Sequence, residues 1–107
     1  MEKAEVKFKP EIVTYLNKLV LKLFEAQYFG FMESAIKYKD ELIDYIESNI
    51  SIFPKKITPL YLTKYGSYYM FYKTNKRTTW YIFYEKENNK YLVTFITNNH
   101  EYLVKYL

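Results

Sequence analysis

Cysteine is absent from this 107-residue chain, and histidine occurs once, at His100. Disulfides and thiolate zinc centres are therefore excluded, and a lone imidazole cannot supply a zinc cluster. Glycine is restricted to Gly30 and Gly66, so no glycine-rich loop is available to cradle a phosphate. With three prolines, the composition is far from that of a disordered or low-complexity chain. Long apolar runs are missing too. Lys18, Lys22 and Glu25 interrupt the longest helical segment, and nothing approaches the ~20 apolar residues that span a bilayer. The opening Met1-Glu2-Lys3-Ala4-Glu5 is charged, with no apolar core of signal-peptide length after it. The expected setting is soluble and cytoplasmic, away from membranes, with no metal or other cofactor.

What the chain does have is apolar and aromatic material: 50% hydrophobic and 21% aromatic residues, including 14 tyrosines. That is enough to close one core, and a single domain over residues 1–107 is expected. Charge is divided unevenly. Residues 1–53 hold seven basic and nine acidic side chains, a net of −2, whereas residues 54–107 hold nine basic and three acidic, a net of +6. Such asymmetry points to an anionic partner for one face, with RNA the foremost class. A solvated lysine surface is the plainer alternative.

Hydrophobic periodicity divides the chain into two regimes. Glu5-Val6-Lys7-Phe8-Lys9 alternates as a half-buried strand does, and Pro10-Glu11 suits the first turn of a helix. Ile12, Val13, Leu16, Leu19, Val20, Leu23 and Phe24 then recur at helical spacing. Tyr28-Phe29-Gly30-Phe31 breaks the pattern with Gly30 as its turn residue. A second stripe follows in Met32, Ala35, Ile36, Leu42, Ile43, Ile46 and Ile50. After Ser51 to Pro54 the period becomes that of strands. Lys55 to Lys64 is a basic connection containing Pro59, with room for a short extended piece. Tyr68 to Lys73 is a run of β-formers, and Thr74-Asn75-Lys76-Arg77 is a polar turn. Thr78 to Glu85 is apolar in both registers, with Trp80, Ile82 and Tyr84 opposite Thr79, Tyr81 and Phe83, the pattern of a central strand covered on both sides. Asn88-Asn89 suits a two-residue hairpin turn, and Tyr91 to Thr97 is a further strand. The tail from Asn98 to Leu107 reads as an extra strand or a short helix. The expected architecture is α+β: an N-terminal strand, a helical hairpin, and a C-terminal antiparallel sheet of three or four strands packed on the helices. Leu16, Leu19, Leu23, Ile36, Ile43, Ile46 and Ile82 or Phe83 are expected to share the core.

The order of these segments resembles the RelE/ParE toxin superfamily. The residues that carry the resemblance are Val6-Lys7-Phe8-Lys9-Pro10-Glu11, Phe53-Pro54 after the second helix, Tyr81-Ile82-Phe83-Tyr84, and Phe95-Ile96 followed by His100. The resemblance implies a toxin-like component of a toxin–antitoxin system, held inactive by an antitoxin protein and acting on mRNA at the ribosome or on gyrase. Where ribosome-dependent members carry an arginine second in the aromatic strand, this chain has Tyr81. Where another commonly follows the terminal histidine, it has Glu101. His100 and Tyr102 stand where related ribonucleases use a histidine or tyrosine. The remaining cations that could meet a nucleic acid are Lys55, Lys56, Lys64, Lys73, Lys76 and Arg77.

Metal-independent ribonuclease chemistry needs a group to take the 2′-hydroxyl proton, cations to stabilise the phosphorane, and an acid for the leaving oxygen. His100 is the one side chain whose ordinary titration lies near neutrality, and Arg77 is the best bidentate phosphate clamp. His100, Arg77 and Tyr102 are thus the candidate catalytic set. The plainer readings stand beside it: His100 as a polar turn residue, Lys76-Arg77 as a solvated hairpin tip, and the tyrosines as core and cross-strand pairs rather than base-stacking platforms. A non-catalytic binding module on the same scaffold is the alternative to a toxin.

Overall fold

The computed structural model describes residues 4–25, 32–53, 56–74, 76 and 78–99. Strand β1 (Glu5–Phe8) leads into helix α1 (Pro10–Glu25), with Pro10 at the helix start, where a missing N–H leaves no bond unmade. Helix α2 covers Met32–Asn49. Four strands follow, β2 (Lys56–Ile57), β3 (Tyr68–Lys73), β4 (Thr79–Glu87) and β5 (Lys90–Asn98), with a 3-10 helix at Leu60–Tyr65 between β2 and β3. They form one five-stranded sheet in the order β1-β5-β4-β3-β2.

The chain is α+β as expected, but the sheet differs from a three- or four-stranded antiparallel one. It has five strands and is mixed, because β1 pairs parallel to β5 in the register Glu5–Lys90 to Phe8–Val93. The helical hairpin lies between β1 and the rest of the sheet in sequence, so β1 can join only by a long crossover. Backbone bonds from Glu5 N to Asn89 O and from Lys9 N to Val93 O close its two ends. The β4–β5 hairpin turns through Asn88 at φ 57°, a conformation asparagine tolerates.

Alternation along β4 divides the interior in two. Trp80, Ile82 and Tyr84 join Met70 of β3 and Tyr91, Val93 and Ile96 of β5 beneath the helices, where Ile12, Leu16, Leu42, Ile46 and Ile50 meet them. Phe83 points the other way and is buried with Leu62 of the 3-10 helix, against Tyr65, Tyr69, Tyr81 and Phe95. Leu16, Ile46 and Ile82 are buried in the shared core, with Leu19 and Ile43 packed at its margin. Two apolar stripe residues are not inside: Ile36 is 44% and Val13 48% exposed. The buried face of α2 is turned toward Tyr38 and Tyr45, which pack on the core in place of Ile36. The side chain of Leu23 lies outside the described part.

Polar fastenings hold this arrangement. The Trp80 indole N–H donates to the Tyr38 hydroxyl at 2.8 Å, and that hydroxyl shares a 2.7 Å bond with the Thr74 hydroxyl at the start of the β3–β4 turn. On the opposite face, the Thr94 hydroxyl bonds the Tyr65 carbonyl and so ties the 3-10 helix to β5. Gly66 makes that approach possible. A Cβ there would lie 2.7 Å from Thr94 Oγ1 and 2.9 Å from the Tyr84 amide nitrogen, closer than a side chain can sit. No helix among the described residues is long and apolar enough to cross a membrane.

The packing sets two expectations for stability. Leu16→Ala should lower the unfolding free energy by about 2–5 kcal/mol, while Ile36→Ala should change it by less than about 0.5 kcal/mol; urea denaturation of both variants measures the contrast. The Tyr84 phenol is pushed up to about 12, chiefly by burial and then by the neighbouring Tyr91 and Tyr68. An unfolded tyrosine ionises near 10, so between about pH 10 and about pH 12 the unfolded chain binds fewer protons than the folded one. Stability contributed by the neutral phenol is therefore complete below pH 10 and declines as pH rises through that window. Denaturation at stepped alkaline pH should show this fall for the parent and a shallower one for Tyr84→Phe.

Candidate nucleic-acid interface

Of the basic residues singled out from sequence, Lys56, Lys64, Lys73 and Lys76 are described and all are exposed; Lys55, Arg77, His100 and Tyr102 lie outside the described residues. The structure brings two of the four together. Lys56 on β2 and Lys73 at the end of β3 both line a groove of about 390 Å³ whose other walls are Tyr45, Phe53, Met70, Phe71 and Tyr72. Lys64 sits on the 3-10 helix, with its ammonium 5.2 Å from the centre of the Tyr65 ring. Lys76 is in the β3–β4 turn.

The groove exists because β2 is too short to cover its neighbour. Its pairing reaches only Lys56–Tyr69 and Ile57–Tyr68, so from Met70 to Lys73 the outer edge of β3 meets no strand among the described residues. Backbone direction along that edge follows from the ladder. Thr74 N bonds Thr78 O on the β4 side, and Thr58 N bonds Ser67 O on the β2 side. Antiparallel hydrogen bonding alternates every second residue, so the amides and carbonyls of Phe71 and Lys73 point outward, to the β2 side.

Side chains complete the walls. Tyr45 of α2 and Tyr72 of β3 stack face to face, 3.6 Å between centroids at 10°. Phe53, just past α2, tilts against Tyr45 at 6.0 Å. Phe71 stands on the sheet face away from the helices, together with Tyr69 and Lys73, and the Lys56 ammonium lies 5.6 Å from its ring centre. Phe53 is 42% and Phe71 48% exposed. Ile52, next to Phe53 in sequence, is exposed as well.

Electrostatics favour an anion here. Burial, and then the neighbouring Tyr72, raises the Tyr45 phenol above its ordinary value. Burial, followed by Tyr81 and Tyr61, does the same for Tyr69. The groove lining itself holds two lysines and no acidic side chain. A second cavity, of about 400 Å³, at the other end of the sheet provides the contrast. It is lined by Glu5, Glu85 and Glu87 as well as Lys7, Lys86 and Lys90, and its balanced charge selects no sign.

The residues that sequence reasoning missed are Tyr45, Phe53, Met70, Phe71 and Tyr72. The available signal was the alternation Tyr69-Phe71-Lys73, which sets a ring and a cation on one face, and the apolar run Ile52-Phe53 just after a helix. Among the described residues no group of three or more His, Asp or Glu side chains is placed to hold a metal ion. Comparison with protein-family models, with curated proteins and with solved structures finds no match.

Proposed function

We propose that this chain is a RelE/ParE-like, toxin-type domain that acts on single-stranded RNA through the basic, aromatic side of its sheet, with an antitoxin protein as its regulator and mRNA on the ribosome as its target. The observation that carries the reading is the convergence of Lys56 and Lys73, both from the half of the chain with the positive excess, on a groove walled by Tyr45, Phe53, Phe71 and Tyr72. Single-stranded RNA is held by cations that follow the backbone and by rings on which unpaired bases stack. Outward main-chain amides at Phe71 and Lys73 add neutral donors for phosphate or base oxygens. The order of a leading strand, paired helices and then a sheet with Tyr81-Ile82-Phe83-Tyr84 on its central strand supports the toxin-like scaffold.

Cleavage is the finer part of the proposal. It assigns His100 as general acid or base and Arg77 as phosphate clamp, with Tyr102 carried over from the resemblance and Glu101, next to His100 in sequence, favouring the acid role. One observation favours a non-catalytic binding module instead. Tyr81, second in the aromatic strand, is half-buried against Tyr69, 6.5 Å between ring centroids. That position supplies a packed ring and no cation.

Two measurements separate these readings. In a fluorescence-anisotropy titration with single-stranded RNA, Lys56→Ala/Lys73→Ala should weaken binding. It should also flatten the plot of log affinity against log salt by about 1.4, roughly 0.7 for each lysine–phosphate pair removed. An unchanged slope removes the groove from the interface. Expression of the chain alone should arrest growth and fragment messages, and His100→Ala should abolish fragmentation while RNA binding persists, since a general acid or base acts on the chemical step. Arrest with intact messages and blocked replication identifies gyrase as the target. RNA binding by the purified chain without growth arrest identifies the binding module.

A further inference from the structure

We propose that the groove along the open edge of β3 is a nucleotide subsite, which takes one unstacked base of single-stranded RNA against its rings and that nucleotide's phosphate between Lys56 and Lys73. The inference rests on the RNA reading above and adds the unit that is recognised and the place where it sits. Three observations converge on this occupant. The volume, about 390 Å³, falls within the ~300–1,000 Å³ range of small-ligand sites. The walls are predominantly aromatic: Tyr45 and Tyr72 are already stacked on each other, while Phe53 and Phe71 keep 42% and 48% of their surface free. A flat ring gains from a free aromatic face in a way that an aliphatic chain does not. Both charged groups at the rim are ammoniums, and the Lys56 ammonium lies over the Phe71 ring, which places a cation beside the surface a base would stack on.

The open strand edge supplies what stacking and charge lack, namely selectivity. Ladder parity turns the N–H and C=O groups of Phe71 and Lys73 to the β2 side, where no strand among the described residues pairs with them. An unpaired base presents donors and acceptors on its own edge at similar spacing, so a main-chain edge can discriminate between bases where lysine and ring contacts cannot. An extended peptide would use the same edge by adding a strand. It would need the edge hydrogen bonds most, whereas the proposed nucleotide needs the rings and lysines most.

The test titrates the full chain with each of the four nucleoside 5′-monophosphates, with the matching nucleosides and with inorganic phosphate. A glutamate-rich hexapeptide serves as the strand-forming rival. Amide chemical shifts of Phe71 and Lys73 report occupancy. At least one monophosphate should bind and move both amides, with its nucleoside and free phosphate each at least about tenfold weaker. Phe71→Ala and Phe53→Ala should each weaken that monophosphate and single-stranded RNA by about five- to a hundredfold, and Phe71→Tyr should restore binding. Both phenylalanines are substantially exposed, so the alanine variants should melt as the parent does; a variant that unfolds is replaced by Phe71→Leu, which keeps the apolar bulk but removes the aromatic face and should show the same loss. RNA bound equally well by parent and alanine variants overturns the subsite and leaves RNA binding standing. Absence of RNA binding by the parent at low salt overturns the RNA reading itself. Shifts at Phe71 and Lys73 with the peptide but with none of the monophosphates also overturn the subsite, and assign the edge to a strand-adding partner.

Discussion

β4 is the strand from which both halves of the interior hang, because it is apolar in both registers and each register has its own cover. Trp80, Ile82 and Tyr84 are held under the helices, while Phe83, on the opposite face, is held under Leu62 and the 3-10 helix. Burial on both sides fixes register firmly, since a one-residue slip would move the indole of Trp80 away from the Tyr38 hydroxyl and carry every ring to the wrong face. The Trp80–Tyr38–Thr74 chain of hydrogen bonds then ties α2 to the start of the β3–β4 turn. Register in β4 thereby sets where β3 ends, and Lys73 with it.

The two sides of the sheet centre are finished differently. Beyond β5 the edge is covered by β1 in parallel pairing, and Tyr15 of α1 stacks near Phe95, 6.4 Å between centroids, past the point where β1 stops. Beyond β3 the cover among the described residues is the two residues of β2. β2 runs antiparallel to β3, with Lys56 opposite Tyr69 and Ile57 opposite Tyr68, so the chain that follows it passes the beginning of β3 and reaches the 3-10 helix that buries Phe83. The stretch from Met70 to Lys73 lies at the other end of that pairing, and there Phe53 and Tyr45 stand at the groove.

Much of this frame is legible in the sequence where the information is local. The two-sided alternation of Thr78 to Glu85, the run Tyr68 to Lys73 and the Asn88 turn are each written in adjacent residues, and the structure has them at those places. Pairing of β1 with β5 is not local; nothing in Glu5–Phe8 names a partner some 85 positions away. The 3-10 helix is hidden inside a basic connection, where Leu62 is a single apolar residue with no period to announce it. Aliphatic periodicity puts Ile36 and Val13 in the buried stripes because it weighs aliphatic side chains above tyrosines. In α2 it is Tyr38 and Tyr45 that turn inward, since each has a ring to pack against and Tyr38 has a buried indole to satisfy. The candidate site divides the same way. Lys56 and Lys73 both stand out in the sequence as cations, but their meeting depends on the β2–β3 register, which no spacing rule encodes.

Lysines on a strand edge have another common role: they discourage one sheet from pairing with another. That account predicts an edge that is charged and otherwise plain, with apolar side chains turned inward or trimmed away. The edge of β3 is the reverse. Phe53 is 42% and Phe71 48% exposed, and both line the groove with the two lysines. An edge guarded only against association would be poorly served by such a surface, because exposed rings on a strand edge invite the contacts that lysines are placed to prevent. The combination is better suited to selective admission. The charges repel basic or like-charged edges and admit anions, the rings reward a flat apolar partner, and backbone groups that no described strand pairs with test its hydrogen-bonding edge. A ligand that satisfies all three at once must be anionic, planar and polar at its rim, and a nucleotide of single-stranded RNA meets that description.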